Sequence, residues 1–300
     1  MSSFRYSFII PHKNLPGLLR RCLSSIPQRE DVQVIVVDDA SDDMSELKFL
    51  TREAGCLELV FDKESKGAGH VRNVGLEYVR GEWIVFADAD DFFEDGILSL
   101  LDRHYADKED IVYFRAESIY SDTLVHSPKL DQRNRAIDRY ASVPEKIRAF
   151  CSFFCTEPWG KMIRSSLVKE HGIRFDETPV ANDYYFSVVA AFHAASIGFD
   201  GARMYVYTVR PESLSYKMCA NESVLVTRLN VYLGVQHFYD EHKIPYIPFY
   251  EFVFSGLYRS DHASKDIVKH YLGEHGISVT RIWLRYLKGK LFQYTKGVHV

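Results

Sequence analysis

Three aspartates follow a short apolar run, and their spacing suits a metal ion. Residues 83–87 are strand-like and lead directly into Asp88, Asp90 and Asp91. Side chains two apart on an extended chain share a face, so Asp88 and Asp90 point together, whereas Asp91 turns away where the strand ends. Two carboxylates on one face repel unless a cation lies between them, and Mg²⁺ or Mn²⁺ binds oxygen ligands while leaving positions for phosphate oxygens. An acidic turn that caps a helix beginning near Gly96 explains this segment equally well.

The elements that must position these aspartates form an α/β pattern. Short β-rich runs alternate with helical patterns, which predicts a mostly parallel sheet flanked by helices. Leu18 to Ile26 carry apolar residues at helical spacing, which predicts a helix after the first strand. The predicted strands are 7–10, 33–37, 57–61, 83–87, 110–114 and 203–209.

Two further polar clusters stand at predicted strand ends. Pro11 and Asn14 follow the first strand, and Asp38 and Asp39 end the second. Ligands bind beyond the carboxyl ends of strands in open α/β sheets, so these clusters are expected to share one crevice with the acidic turn. Capping of the next helix is the alternative for Asp38 and Asp39.

A glycine-rich segment, residues 66–75, opens a predicted helix. It is not a dinucleotide fingerprint, because Arg72 stands where that fingerprint needs its third glycine. Arg72 instead offers a fork of donors to phosphate or to the acidic cluster. A surface arginine at a helix start is the simpler alternative.

The middle of the chain gives weaker signals. Residues 122–139 are charged without a period, which predicts a mobile loop over the site, and helical patterns resume at 143–154. Asp183 precedes an apolar helix, where an N-cap is the simplest role and a general base the alternative. Trp159 is interpreted as a core residue rather than a sugar platform.

Composition narrows the protein class. With 300 residues and 46% hydrophobic residues, the chain can bury a large core. A net charge of -4 gives no general case for nucleic acid. Five scattered cysteines fit reduced thiols and a cytoplasmic location, and Cys151 and Cys155 lack the partners of a zinc site. No run is long enough for a signal peptide or a spanning helix.

Taken in order, the motifs resemble those of the family-2 glycosyltransferases of GT-A fold, over roughly the first two thirds of the chain. The set is strong because order and spacing agree, although any one element is weak. The matching elements are Pro11-x-x-Asn14, Val36-Val37-Asp38-Asp39-x-Ser41, Gly67 through Arg72-Asn73-x-Gly75, Gly81-Glu82-Trp83-Ile84, Asp88-x-Asp90-Asp91, Trp159-x-Lys161, Gly172-Ile173-x-Phe175 and Asn182-Asp183.

The resemblance implies an inverting transfer of sugar from a nucleotide-diphosphate donor, with UDP favoured, to a hydroxyl of a glycan or lipid-linked acceptor in bacterial polysaccharide synthesis. By the same resemblance Asp183 is the catalytic base and Asp90 the ligand of Mn²⁺ or Mg²⁺. Asn182 replaces the family's usual Glu, and His12 stands where Tyr is commoner. Donor contacts are implied for Pro11, Asn14, Asp38, Asp39, Lys66, Arg72, Asp88 and Ala89, and more weakly for the segment 210–213.

Residues 1–215 are therefore expected to form a GT-A nucleotide-sugar-binding and catalytic domain, and 216–300 a C-terminal helical extension. Basic and apolar residues are interleaved at 277–296, which predicts either peripheral contact with the inner face of a membrane or a helix packed on the catalytic domain. The oligomeric state is open. Alternative functions are a sugar nucleotidyltransferase and an inactive nucleotide-sugar-binding module.

Overall fold

The computed structural model describes residues 4–43, 45–47, 50, 57–142, 154–210, 221–244, 247–258 and 260–295. The chain divides into two compact units. One is Met1–Glu177 with Tyr185–Arg210, and the other is Thr178–Tyr184 with Pro211–Val300. The expected boundary at residue 215 lies outside the described residues, so the two-domain assignment stays a prediction.

An eight-stranded sheet of described residues forms the centre of the first unit, in the order β3-β2-β1-β4-β7-β6-β8-β5. Neighbours among β1 to β4 pair in parallel, as do β6 and β8, whereas β7 and β5 run antiparallel to their neighbours. The predicted α/β class with a mostly parallel sheet is confirmed. The strands are β1 Tyr6–His12, β2 Val32–Asp39, β3 Leu57–Asp62, β4 Trp83–Phe86, β5 Phe92–Phe93, β6 Ile111–Tyr120, β7 Lys161–Arg164 and β8 Ile197–Val209.

The helices follow the expected alternation with strands. Helix α1 begins at Pro16, whose fixed φ suits a first turn, and it buries Leu19 and Cys22 as the apolar spacing predicts. The C-terminal region is helical, as expected. The helices of the described residues are α1 Pro16–Ser24, α2 Ala68–Glu77, α3 Ile97–His104, α4 Asp131–Ala141, α5 Ser165–Glu170, α6 Tyr184–His193, α7 Glu222–Glu241, α8 Pro248–Tyr258, α9 His262–Glu274 and α10 Val279–Thr295.

The prediction of a loop at residues 122–139 is wrong for the second half of that range. A 3₁₀ turn at Pro128–Leu130 leads into helix α4, which buries Ile137 and Tyr140. Its polar composition concealed a buried arginine: Arg133 donates to the Phe114 carbonyl at 2.9 Å and lies over the Trp159 ring. A guanidinium whose donors are satisfied can replace an apolar residue on a packed helix face. Most of the helix predicted at 143–154 lies outside the described residues.

Each unit has its own core. In the first unit every residue of β1 is buried, since helices cover both faces of this part of the sheet. Trp159 is buried and stacks on Tyr205, which confirms its core role. In the second unit the four helices α7, α8, α9 and α10 share one core, which contains Leu229, Val253 and other apolar residues. Among the described helices, none has the length and hydropathy needed to cross a bilayer.

Candidate functional site

The predicted polar clusters stand at the carboxyl ends of adjacent parallel strands. His12 at the end of β1 pairs in register with Asp38 of β2, and Ile9 pairs with Phe86 at the end of β4. The acidic turn follows β4 directly. This edge of the sheet is where open α/β folds bind ligands.

Asp38 is fully buried and accepts hydrogen bonds from the loop that follows β2. Its Oδ1 accepts from His12 Nδ1 at 2.8 Å and from the Ser41 hydroxyl at 2.5 Å, and its Oδ2 accepts from the Ser41 amide at 2.9 Å. The Leu15 amide donates to His12 Nε2 at 3.1 Å. Since Nε2 accepts, the proton of the neutral imidazole lies on Nδ1, and His12 donates to Asp38.

Asp39 and Asn14 hold neighbouring loops. Asp39 Oδ1 accepts from the Gly67 amide at the start of α2, and Oδ2 accepts from Lys13 Nζ, each at 3.1 Å. Asn14 has a positive φ of 53° and exchanges two hydrogen bonds with Asp42. The ends of β1 and β2 and the start of α2 therefore form one hydrogen-bonded group.

Arg72 links α2 to the acidic turn. Its guanidinium is buried and donates to Asp88 Oδ1 at 2.5 Å, with the Phe175 ring 5.4 Å from its central carbon. Asp88 keeps 29% of its side chain exposed. A partly open carboxylate beside a buried cation suits hydrogen bonding to a ligand hydroxyl.

Asp90 is also held by arginine. Its Oδ2 accepts from both Nε and Nη2 of Arg210, and its carbonyl accepts from Arg21 at 2.5 Å and from the Thr208 hydroxyl at 2.6 Å. Burial raises the pKa of Asp90, the charge of Asp88 adds to the rise, and Arg210 opposes it. Because the charge of Asp88 destabilises the charged form of Asp90, the pair favours a cation, and its carboxylate oxygens fit a hard divalent ion.

Asp91 points away from this pair and anchors the turn. It accepts from the Thr208 amide at 2.7 Å and from the Tyr205 hydroxyl at 2.8 Å, while that hydroxyl accepts from the Asp88 amide at 2.9 Å. Burial, together with Asp90 and Asp88, raises the pKa of Asp91 well above its usual range. Strand β8 thus fixes the turn that presents Asp88 and Asp90.

The other residues predicted to contact the nucleotide-sugar donor are Pro11, Ala89, Lys66 and the segment 210–213. Pro11 and Ala89 are buried next to the polar strand ends. Lys66 is half exposed and pairs with Glu64. Of the segment 210–213, Arg210 lies on Asp90, and 211–213 lie outside the described residues.

Asp183 belongs to the second unit. It precedes α6, and Asn182 beside it donates to the Thr178 carbonyl at 3.2 Å. Burial raises the pKa of Tyr232 on α7, Arg228 lowers it, and the charge of Asp183 contributes to the rise. The aspartate therefore lies in an environment of aromatic and charged groups from α7.

Sequence reasoning missed a second acidic group beside α2. One ligand atom each from Asp62, Glu64 and His70 lie within 4.8 Å of one another, and His70 Nδ1 lies 2.9 Å from Glu177. Asp62 and Glu64 were visible as polar residues at the end of β3, but nothing in the local sequence placed His70 against them. Arg21, Tyr205 and Thr208 were missed because their contacts span much of the chain.

The family model described as Glycosyl transferase family 2 matches residues 7–171, more than half of the chain. The chain belongs to this family. The putative glycosyltransferase EpsH of Bacillus subtilis is 27% identical over 221 residues, which cover 69% of this chain and 62% of EpsH.

Solved structures of other proteins share the fold. Residues 1–349 of Staphylococcus aureus TarS in complex with UDP align with a TM-score of 0.53 and 25% identity, covering 76% of this chain and 66% of that one. A mannosyltransferase of Pyrobaculum calidifontis in complex with GDP-Man and Mn²⁺ aligns with a TM-score of 0.58 over 98% of this chain and 81% of its own. At 19% identity the latter shows the fold alone. The predicted GT-A fold is confirmed, while the chain spans less than two thirds of EpsH and of the TarS fragment.

Proposed function

We propose that this protein is an inverting glycosyltransferase that moves a sugar from a nucleotide diphosphate, a UDP-sugar, to a hydroxyl of a glycan or lipid-linked acceptor. The observation that carries the proposal is the pair of partly exposed carboxylates, Asp88 and Asp90, each held by an arginine at the carboxyl end of β4. Membership of the family supports the reaction class, and the TarS structure with UDP supports the nucleotide.

The donor nucleoside is assigned to the edge formed by β1 and β2. Asp39 is the direct contact, because among the described residues the Gly67 amide and Lys13 each occupy one of its oxygens, and each oxygen has a second lone pair. Asp38 acts as a positioning residue, since it is fully buried and accepts three hydrogen bonds from the loop. Asp88 is assigned to the ribose.

Asp90 is proposed to hold Mn²⁺ or Mg²⁺. In this structure the carboxylate of Asp90 is paired with Arg210, so a bound metal ion would take the place of the guanidinium. When bound, the ion would neutralise charge on the leaving diphosphate. Arg210, once released, is a donor for phosphate oxygens, and Arg72 and Lys66 add positive charge to this side of the site.

Asp183 is proposed as the base. It accepts the proton of the acceptor hydroxyl while that oxygen attacks the anomeric carbon and the bond to the nucleotide diphosphate breaks. A single displacement inverts the carbon and needs no nucleophilic residue. Asn182 stands where the family usually has Glu, so Asp183 lacks the neighbouring negative charge that a Glu would supply.

The donor is identified by a thermal-shift panel of UDP-glucose, UDP-galactose, UDP-N-acetylglucosamine and GDP-mannose, each with and without Mn²⁺. A UDP-sugar that raises the melting temperature, and whose turnover releases UDP, is the expected result. Release of pyrophosphate from a nucleoside triphosphate and a sugar phosphate would instead show a nucleotidyltransferase. Binding of UDP without turnover of any of these donors would show a binding module.

Asp183→Asn tests the base. We expect transfer to fall about 100- to 10,000-fold, since general-base catalysis contributes in that range, with donor affinity nearly unchanged. Asp266→Asn, an exposed change on α9, is the control and should keep full activity. Equal loss of donor binding and transfer in the Asp183 variant would show a structural cap instead.

The proposed location is the cytoplasm. Cys22 and Cys155 are free and buried among the described residues, which fits a reducing compartment. Cys151 lies outside the described part of the chain.

A further inference from the structure

One side of helix α10 is buried, and three leucines on another side are exposed to solvent. Ile282 is fully buried, and Gly289 lies so close to Ile247 that an added Cβ would come within 2.4 Å of it. Leu284, Leu287 and Leu291 keep 65%, 55% and 64% of their surface exposed. At about 100° per residue the three fall within an arc of about 60°. We call this the leucine face.

The charges beside the leucine face all have one sign. Helix α10 contains four basic residues and no acidic residue, in a chain whose net charge is -4. Arg285 pairs with Asp240 and Lys290 with Glu251. Arg281 and Lys288 are exposed, border the leucine face and form no ion pair with any residue that the structure describes.

An aromatic pair borders the other side of the leucine face. Trp283 donates from Nε1 to the Tyr258 hydroxyl at 2.6 Å, and both rings are partly exposed. Such rings, apolar in body and polar at one end, are enriched where protein meets the headgroup region of a membrane.

We propose that the leucine face binds the surface of an anionic lipid bilayer. The leucines enter the boundary of the acyl chains, Arg281 and Lys288 contact lipid phosphates, and α10 lies in the plane of the interface. Two copies of the chain fit this face less well. A two-fold contact through one helix would bring the basic borders together, and α10 has no acidic residue to pair with them.

Flotation of the full chain with lipid vesicles tests this proposal independently of catalysis. We expect the protein to float with vesicles of phosphatidylcholine and phosphatidylglycerol but not with phosphatidylcholine alone. Raising salt to about 0.5 M should release most of it, because screening weakens the contribution of Arg281 and Lys288.

Two variants separate the apolar and the charged contributions. Leu287→Ser with Leu291→Ser should lower partitioning about tenfold or more, since both side chains lose apolar area. Arg281→Glu with Lys288→Glu should abolish it. Leu124→Ser is the matched control, because Leu124 is 62% exposed on the first unit and should bind like the wild type.

Circular dichroism and UDP binding verify that each variant is folded. Flotation of the leucine variant equal to that of the wild type would overturn the proposal, as would failure of the wild type to float. A wild-type dimer in light scattering that becomes a monomer in the leucine variant, without flotation of either, would show self-association instead. Loss of flotation with UDP-sugar turnover intact leaves the proposed reaction unaffected.

Discussion

At the scale of single residues, the acidic turn combines carboxylates with different roles. Asp88 and Asp90 remain partly open and face arginines, whereas Asp91 is buried and accepts from uncharged groups. The spacing of the aspartates predicted that Asp91 turns away from the pair. Their arginine partners were harder to foresee, because Arg210 lies 120 residues from Asp90 in the chain.

Asp90→Ala isolates the proposed metal ligand. We expect the part of the UDP-induced melting shift that depends on Mn²⁺ to disappear, because the variant lacks the carboxylate proposed to hold the ion. Asp95→Ala, an exposed change shortly after β5, is the control. A Mn²⁺-dependent shift that survives in the Asp90 variant would move the metal to other ligands.

Asp91→Asn should change the pH dependence of stability. Because the folded protein raises the pKa of Asp91, this group contributes most stability below its unfolded pKa, and the contribution is lost as pH rises through the folded pKa. The asparagine variant lacks that loss. The wild type should therefore lose stability relative to the variant as the pH rises above about 4, the ordinary pKa of an aspartate, as measured by urea unfolding. A constant difference would contradict the raised pKa.

At the scale of elements, Gly81 fixes how the segment before β4 meets β1. Its amide donates to the Ser7 hydroxyl at 2.8 Å, and that hydroxyl donates to Gln33 at 2.5 Å. A Cβ at Gly81 would come within 2.7 Å of the Ser7 backbone nitrogen, which cannot move without disturbing the sheet. The glycine thus permits the close approach of two chain segments in the sheet that carries the site.

Gly81→Ala should lower the free energy of unfolding by about 1–3 kcal/mol, the usual cost of overpacking. Gly17→Ala in α1 is the matched control, because an added Cβ there meets nothing within 4 Å. That variant should gain about 0.4–1 kcal/mol, since alanine restricts the unfolded chain. Urea unfolding of both variants tests the pair, and equal effects would show that the contact at Ser7 is unimportant.

The elements also show how far the sequence predicted the fold. Strands with long apolar runs, such as β1 and β2, were predicted because burial on both faces selects such runs. Strands β5 and β7 were missed, because two or four residues are too short to show a period. Strand β7 is further concealed by Lys161, which is buried and donates to the Cys155 carbonyl and the Ser187 hydroxyl.

The candidate site was foreseen in outline for the same reason. Asp38 and Asp39 end β2, and Asp88 comes shortly after β4. Neighbouring parallel strands end at one edge, so the grouping of these residues follows from the order of the strands. The sequence did not predict the different hydrogen-bond partners of Asp38 and Asp39, because these depend on the loop geometry at Ser41 and Gly67. The roles given to these residues stay proposals.

At the scale of the whole molecule, the charge of the chain and the charge of α10 have opposite signs. Attraction of the protein to an anionic bilayer would therefore come from one helix, while the net negative charge of the remainder opposes it. This repulsion would favour orientations of the protein in which α10 faces the lipid. The basic residues would therefore determine the orientation of the bound protein as well as its affinity.

The hydrogen bonds from Tyr205 and Thr208 to Asp91 also set an order of events during synthesis. The partners lie 114 and 117 residues apart, so the ribosome has long finished the acidic turn when it adds the residues that hold it. A nascent chain that stops before β8 carries Asp88, Asp90 and Asp183, yet its acidic turn lacks the hydrogen bonds from Tyr205 and Thr208. The proposed site is thus completed only when β8 has been translated and has paired with the sheet.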